Sequence, residues 1–179
     1  MTTSPTIVRL GALAFAVLLC GAAPDPGVEV RVDLERFELI AIDERRPDEV
    51  ALVLPIATGS PSHPSPPGRY RAREVVRNPG WKPGAKAKAR GAVPIDPSED
   101  GPMGVAKIPL TGDGFAVHGG ANPLVVGKQI SLGCVRLSDP DMLALLDWLD
   151  RAGALGPARA TESGELHQAV RRPLAFDVR

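Results

Sequence analysis

Glycine and proline interrupt the apolar runs of this chain so often that they restrict its fold more than any other feature. Nineteen of each fall among 179 residues. Proline inside a helix removes a hydrogen bond and clashes with the preceding turn, and glycine loses the most freedom on ordering. Long helices are therefore disfavoured, and short strands joined by many turns are expected. The stretch 28–42 (VEVRVDLERFELIAI) shows the pattern. Val28, Val30, Val32 and Leu34 alternate with polar residues, and Phe37, Leu39 and Ala41 resume after a slip near Glu35 and Arg36. This reads as two strands, or as one strand with a bulge or turn.

The same reading continues along the chain. Residues 43–48 (DERRPD) form a charged turn, and 50–57 (VALVLPIA) form a strand whose Pro55 belongs at an edge or bulge. Residues 59–68 (GSPSHPSPPG) are a Pro/Ser loop, and 69–76 (RYRAREVV) resume strand character. Residues 77–104 are irregular and carry Lys82, Lys86, Lys88 and Arg90 before Asp96, Glu99 and Asp100. They read either as a solvated loop or as a flap over a groove. Short strands flank the turn Thr111–Gly114. One helix is well marked. Ser138 or Asp139 caps it, Pro140 opens it, Met142, Leu145, Leu146 and Leu149 make its apolar face, and Gly153 ends it. Residues 156–168 carry no clear signal, and 173–178 (PLAFDV) suit a closing strand.

The N-terminus reads as a targeting segment over residues 1–22, leaving one domain over 28–179. Arg9 precedes a continuous apolar run from Leu10 to Cys20, short for a membrane span, with Gly21, Ala22 and Ala23 suited to cleavage. An uncleaved anchor is the alternative, and Cys20 before Gly21 gives a lipoprotein variant, although Leu19 stands where a small residue is normally wanted. An exported location in the periplasm or cell envelope is therefore expected, with membrane contact only through this segment. The whole chain balances 21 basic against 21 acidic residues, which speaks against a nucleic-acid binder. After cleavage Cys134 is the remaining thiol, so there is no disulfide framework, and a lone thiol in an exported domain is a candidate nucleophile.

The chemistry concentrates in 115–137 (FAVHGGANPLVVGKQISLGCVRL). A strand ends at His118, two glycines follow, and Gly133 lets the main chain bend before Cys134. A free thiol is mostly protonated at neutral pH, so it needs a base that takes its proton and later returns it to the leaving group. The base needs an acceptor on its other nitrogen, and a main-chain carbonyl can serve. No metal is expected, because Cys134, His118, His63 and His167 lack close ligand spacing. Trp148 reads as helix packing.

This segment resembles the signature of the L,D-transpeptidase catalytic domain, the YkuD-type family: a His-Gly, an Asn-Pro, then Ser-x-Gly-Cys-Val-Arg. The likeness extends upstream through Thr58-Gly59, Pro67-Gly68-Arg69-Tyr70, Asn78-Pro79-Gly80-Trp81 and Gly101-Pro102-Met103-Gly104, in matching order over roughly residues 30–149. It implies a mostly β domain, a sandwich or mixed sheet, with the one helix after the nucleophile. It also implies Cys134 as nucleophile, His118 as general base, the Gly119 carbonyl as orienting acceptor, and the Gly133 and Cys134 amides as oxyanion donors. Arg136 would orient the cysteine loop or hold a substrate carboxylate, and Ser131 would brace that loop. Tyr70 and Trp81 are further substrate-binding candidates, with a satellite core contact as the other reading of Trp81. Leu132, Gly120, Pro66 and Met103 depart from the family pattern without removing a reacting group.

The implied reaction is acyl transfer on peptidoglycan stem peptides. Cys134 would release a terminal D-Ala and form a thioester, which a neighbouring stem amine resolves into a 3→3 link. No cofactor is implied, since the thioester conserves the energy of the broken amide. An amine-bearing envelope protein is another acceptor, water would make the chain an L,D-carboxypeptidase, and an inactive envelope-binding module would keep only the fold.

Overall fold

The computed structural model describes residues 25–49 and 51–179. The targeting segment 1–22 with Arg9 and Cys20, and Val50 at the start of a predicted strand, lie outside the described residues. In chain order the strands are β1 (Val28–Asp33), β2 (Glu38–Asp43), β3 (Leu52–Pro55), β4 (Thr58–Gly59), β5 (Gly68–Arg77) and β6 (Ala106–Pro109). They continue as β7 (Ala116–His118), β8 (Gln129–Ser131), β9 (Val135–Arg136), β10 (Leu155–Ala160) and β11 (Leu166–Val178). The helices are α1 (Ala85–Lys88), a single turn, and α2 (Asp139–Arg151). Among the described residues no helix is long and apolar enough to cross a membrane.

The expectation of a mostly β, mixed-sheet domain with one marked helix holds. A curled mixed sheet runs β3-β2-β1-β11-β5-β6-β7-β9, with β10 beside β11, and β4 pairs β8 separately. The slip near Glu35 is a turn: Asp33 Oδ1 accepts the amides of Glu35 (3.1 Å) and Arg36 (2.9 Å), and Phe37 takes φ 56° before β2 pairs back on β1. The sheet edge at β3 accommodates Pro55, which has no N–H to donate. Alternation sends Val28, Val30, Val32, Leu39, Val75, Ile108, Val117, Leu174 and Phe176 into one core. Met142, Leu145, Leu146 and Leu149 of α2 close that core from one side, each fully buried. Ser138 is the cap, accepting the Asp141 amide.

The C-terminal segment departs from expectation. Where residues 173–178 suited a short closing strand, β11 spans thirteen residues and lies in the middle of the sheet, between β1 and β5. A proline has no N–H for the ladder, and the pairing explains how Pro173 is tolerated inside this strand. Register shifts between Ala169 and Leu174, so Pro173 falls in a bulge where no ladder amide is needed. Residues before the bulge pair with β10 and residues after it with β1, both alongside the same strand.

The irregular 77–104 stretch is tied down at one end. Trp81 and Ile95 exchange main-chain bonds of 2.8 and 2.9 Å, Gly80 N–H donates to Glu165 (2.9 Å), and Asn78 donates to the Gly164 carbonyl (3.0 Å).

Candidate active site

A short parallel pairing joins the strand that ends at His118 to the strand that follows Cys134. β7 and β9 align Val117 with Val135 and His118 with Arg136. Side chains alternate along strands, so Ala116 and His118 share a face with Arg136 and with Cys134 one step before β9. Cys134 therefore lies beside Ala116 and diagonal to His118. The Ala116 amide faces the Cys134 thiol, which sets the thiol against the strand that carries His118.

His118 is 2% exposed, and its main chain is fixed on both sides. Its carbonyl accepts the Leu137 amide (2.9 Å), and the next amide, of Gly119, donates to Ala106 (3.0 Å). Imidazole Nδ1 lies 2.7 Å from the Gly119 carbonyl oxygen, so in the neutral ring the proton belongs on Nδ1 and the lone pair on Nε2. The Met103 carbonyl also faces the ring. Burial, helped by the Arg136 guanidinium, lowers the imidazole pKa to about 4, against the pull of those two carbonyls. The ring is thus neutral at physiological pH and able to accept a proton.

Cys134 follows a turn built by Ser131 and Gly133. The buried Ser131 hydroxyl donates to the Cys134 carbonyl (2.6 Å) and accepts the Gly133 amide (3.0 Å). Gly133 takes φ +130°, a conformation L side chains rarely adopt. The Gly133 amide, expected as an oxyanion donor, is therefore already engaged inside the turn, and the Cys134 amide is the remaining candidate of the two. The half-buried thiol donates to the Gly114 carbonyl (3.4 Å), not to the imidazole. Burial pushes its pKa up, and the facing Ala116 amide and Arg136 pull it partly back. At rest the pair is an uncharged thiol and an uncharged imidazole.

Arg136 is poised beside both groups. Its Nε is buried and has no hydrogen-bond partner among the described residues. Tyr70 is more structural than expected: its hydroxyl donates to the Pro66 carbonyl (2.9 Å) and its ring meets Phe115 edge-on at 5.1 Å. Trp81 is half-buried in the 77–104 stretch, which borders the site through Lys107. That residue pairs with His118 across β6–β7 and donates to the Gly80 carbonyl (3.2 Å). His63 lies in the Pro/Ser loop, bonded to Ser62, while His167 sits on β11 between Glu74 and Glu165. Two open clefts, of about 230 and 600 Å³, lie on the arginine-bearing part of the sheet around Arg73, and neither is lined by Cys134 or His118.

Three groups at the site escaped the sequence reading. The Gly114 carbonyl and Ala116 amide flank the thiol, and a main-chain group leaves no mark in a sequence. Of the two candidate caps Ser138 takes that place, and Asp139 Oδ1 accepts the amides of Val105 (3.0 Å) and Gly120 (2.9 Å). It thereby joins the start of α2 to two loops beside His118.

Comparison with known proteins bears on the family and the fold of this chain. The YkuD L,D-transpeptidase catalytic-domain family matches residues 27–161. The YkuD protein of Bacillus subtilis (strain 168) is 28% identical over 98 residues, 55% of this chain and 48% of that protein, so the match spans about half of that relative. The catalytic domain of an L,D-transpeptidase from E. faecium superposes with a TM-score of 0.54 at 19% identity, covering 89% of this chain and all of that one. L,D-transpeptidase 3 from Mycobacterium tuberculosis, in complex with a faropenem-derived adduct, gives 0.53 at 18% identity, covering 86% of this chain and 60% of that one. These structural likenesses bear on the fold; the family match, over three quarters of the sequence and across both His118 and Cys134, bears on descent. The chain belongs to the YkuD family of L,D-transpeptidase catalytic domains.

Proposed function

We propose that this chain is an exported peptidoglycan L,D-transpeptidase in which Cys134 carries the acyl group and His118 moves the proton. The observation that supports the reading is the β7–β9 pairing, which sets the buried, neutral His118 beside Arg136, two residues after Cys134. Rotation of the Cys134 side chain away from the Gly114 carbonyl would turn the sulfur toward Nε2. His118 then takes the thiol proton as sulfur attacks the stem-peptide carbonyl, and the developing oxyanion is met by the Cys134 amide. The C–N bond breaks, His118 returns the proton to the departing D-Ala amine, and a thioester remains. An amine from a second stem attacks it, gives a proton to His118 and restores the thiol, leaving a 3→3 link. The Arg136 guanidinium suits a substrate carboxylate. This chemistry needs the segment 1–22 as an export signal and the domain 28–179 at the cell envelope.

The test is intact mass after incubating the purified chain with faropenem, chosen because a structural neighbour carries a faropenem-derived adduct. One adduct on the wild type and none on Cys134→Ala is expected. Isolated tetrapeptide muropeptides should then yield cross-linked dimers. Trimmed tripeptides alone would assign a carboxypeptidase, and a chain inert to both reagents would reduce the domain to a binding module.

A further inference from the structure

We propose that Asp139 is a positioning residue for His118, acting through the Gly119–Gly120 peptide group. The inference rests on His118 being the base of the reaction proposed above. One peptide unit faces both groups. Its carbonyl, on Gly119, lies 2.7 Å from His118 Nδ1, and its amide, on Gly120, donates to Asp139 Oδ1 at 2.9 Å. A carboxylate accepting from the N–H end of a peptide polarises its carbonyl, making that oxygen a better acceptor. Asp139 therefore reaches the imidazole without touching it. The line runs from carboxylate to peptide to imidazole, with the Nε2 lone pair left for the thiol.

Three further observations support a built clamp rather than a chance contact. The same Oδ1 accepts the Val105 amide at 3.0 Å, which holds the loop bearing Met103, whose carbonyl also faces the imidazole. Room for the carboxylate exists only because two residues lack side chains: a Cβ on Gly104 or on Gly119 would lie 2.2 or 2.3 Å from Oδ1. Finally, Ser138 takes the capping role at the start of α2, leaving the Asp139 side chain to the clamp.

The glycine contacts supply the decisive test. Gly119→Ala keeps the carboxylate in the chain but drives it off the Gly120 amide. We expect Asp139→Ala to slow acylation of Cys134 by faropenem by about 10- to 100-fold, since a misplacement of a reacting group by about 1 Å can cost about 100-fold. Gly119→Ala should slow it similarly, and the double variant should be no slower than the worse single, because both break one contact. Asp139→Asn, which retains an accepting oxygen, should recover most of the rate. Nitrogen-15 spectra of labelled histidine, with His118 assigned through His118→Gln, should show the Nδ1–H form of wild type giving way to Nε2–H in Asp139→Ala. Wild-type tautomer and rate in that variant, or additive losses in the double, overturn the proposal. Should Asp139→Ala fail to fold, Gly119→Ala decides it. A wild-type chain that faropenem does not acylate sinks the transpeptidase reading instead, while the tautomer comparison still judges Asp139.

Discussion

His118 illustrates how one burial event sets both reactivity and stability. The buried ring titrates near 4, whereas an unfolded histidine takes up its proton near 6.5. As pH falls from 6.5 to 4 the unfolded chain gains a proton that the folded chain refuses, so stability declines over that window and levels off below it. The full difference is about 3 kcal/mol. His167 works in the opposite direction, since Glu74 and Glu165 raise its pKa, so the two are best separated by mutation. Urea denaturation of wild type and His118→Gln across pH 4–7 should show the wild-type slope exceeding that of the variant. Parallel slopes would mean that the imidazole is hydrated. Under the proposed mechanism, faropenem acylation of Cys134 followed by mass against pH should stay fast down to about pH 4, below the range in which an ordinary histidine is lost as a base.

At the scale of elements, α2 does two jobs through adjacent residues. Ser138 satisfies the Asp141 amide while Asp139 reaches backward to the loops around His118. The cap can be weighed by itself. Ser138→Ala should cost about 1–2 kcal/mol of unfolding free energy, read as a lower urea midpoint at unchanged m-value. No change in midpoint would show that Asp139 or Asp141 takes over the cap. β11 is the second element with a double role, since its bulge admits Pro173 and also turns Arg172 inward.

Across the whole molecule Arg172 is the tie between the two ends of the described chain. Its guanidinium donates to both Asp43 oxygens, at 2.6 and 3.2 Å, to the Pro26 and Gly27 carbonyls at 2.8 and 3.2 Å, and to the Ala152 carbonyl after α2. Arg172 also holds the Asp43 carboxyl below its usual range. Removing the guanidinium leaves the part-buried Asp43 carboxylate to the Arg45 amide and takes the donor from the Pro26, Gly27 and Ala152 carbonyls. Arg172→Leu should therefore lose about 3–5 kcal/mol in denaturant unfolding. A loss below 1 kcal/mol would show that water replaces the guanidinium.

Much of this was legible before any coordinates. Alternation marked β1, β2 and β5, a helical stripe marked α2, and the run from His118 to Arg136 marked the candidate site, because each is a local pattern of side chains. What lay out of reach was non-local or carried by the backbone. Val117 meeting Val135, the central place of β11, and Gly133 turning its amide to Ser131 depend on strands finding partners far along the chain. So does the space that Gly104 and Gly119 leave for the Asp139 carboxylate. Composition and period record which face of a segment seeks the core; which segments share that core, and where their main-chain donors then point, is settled only when the sheet closes.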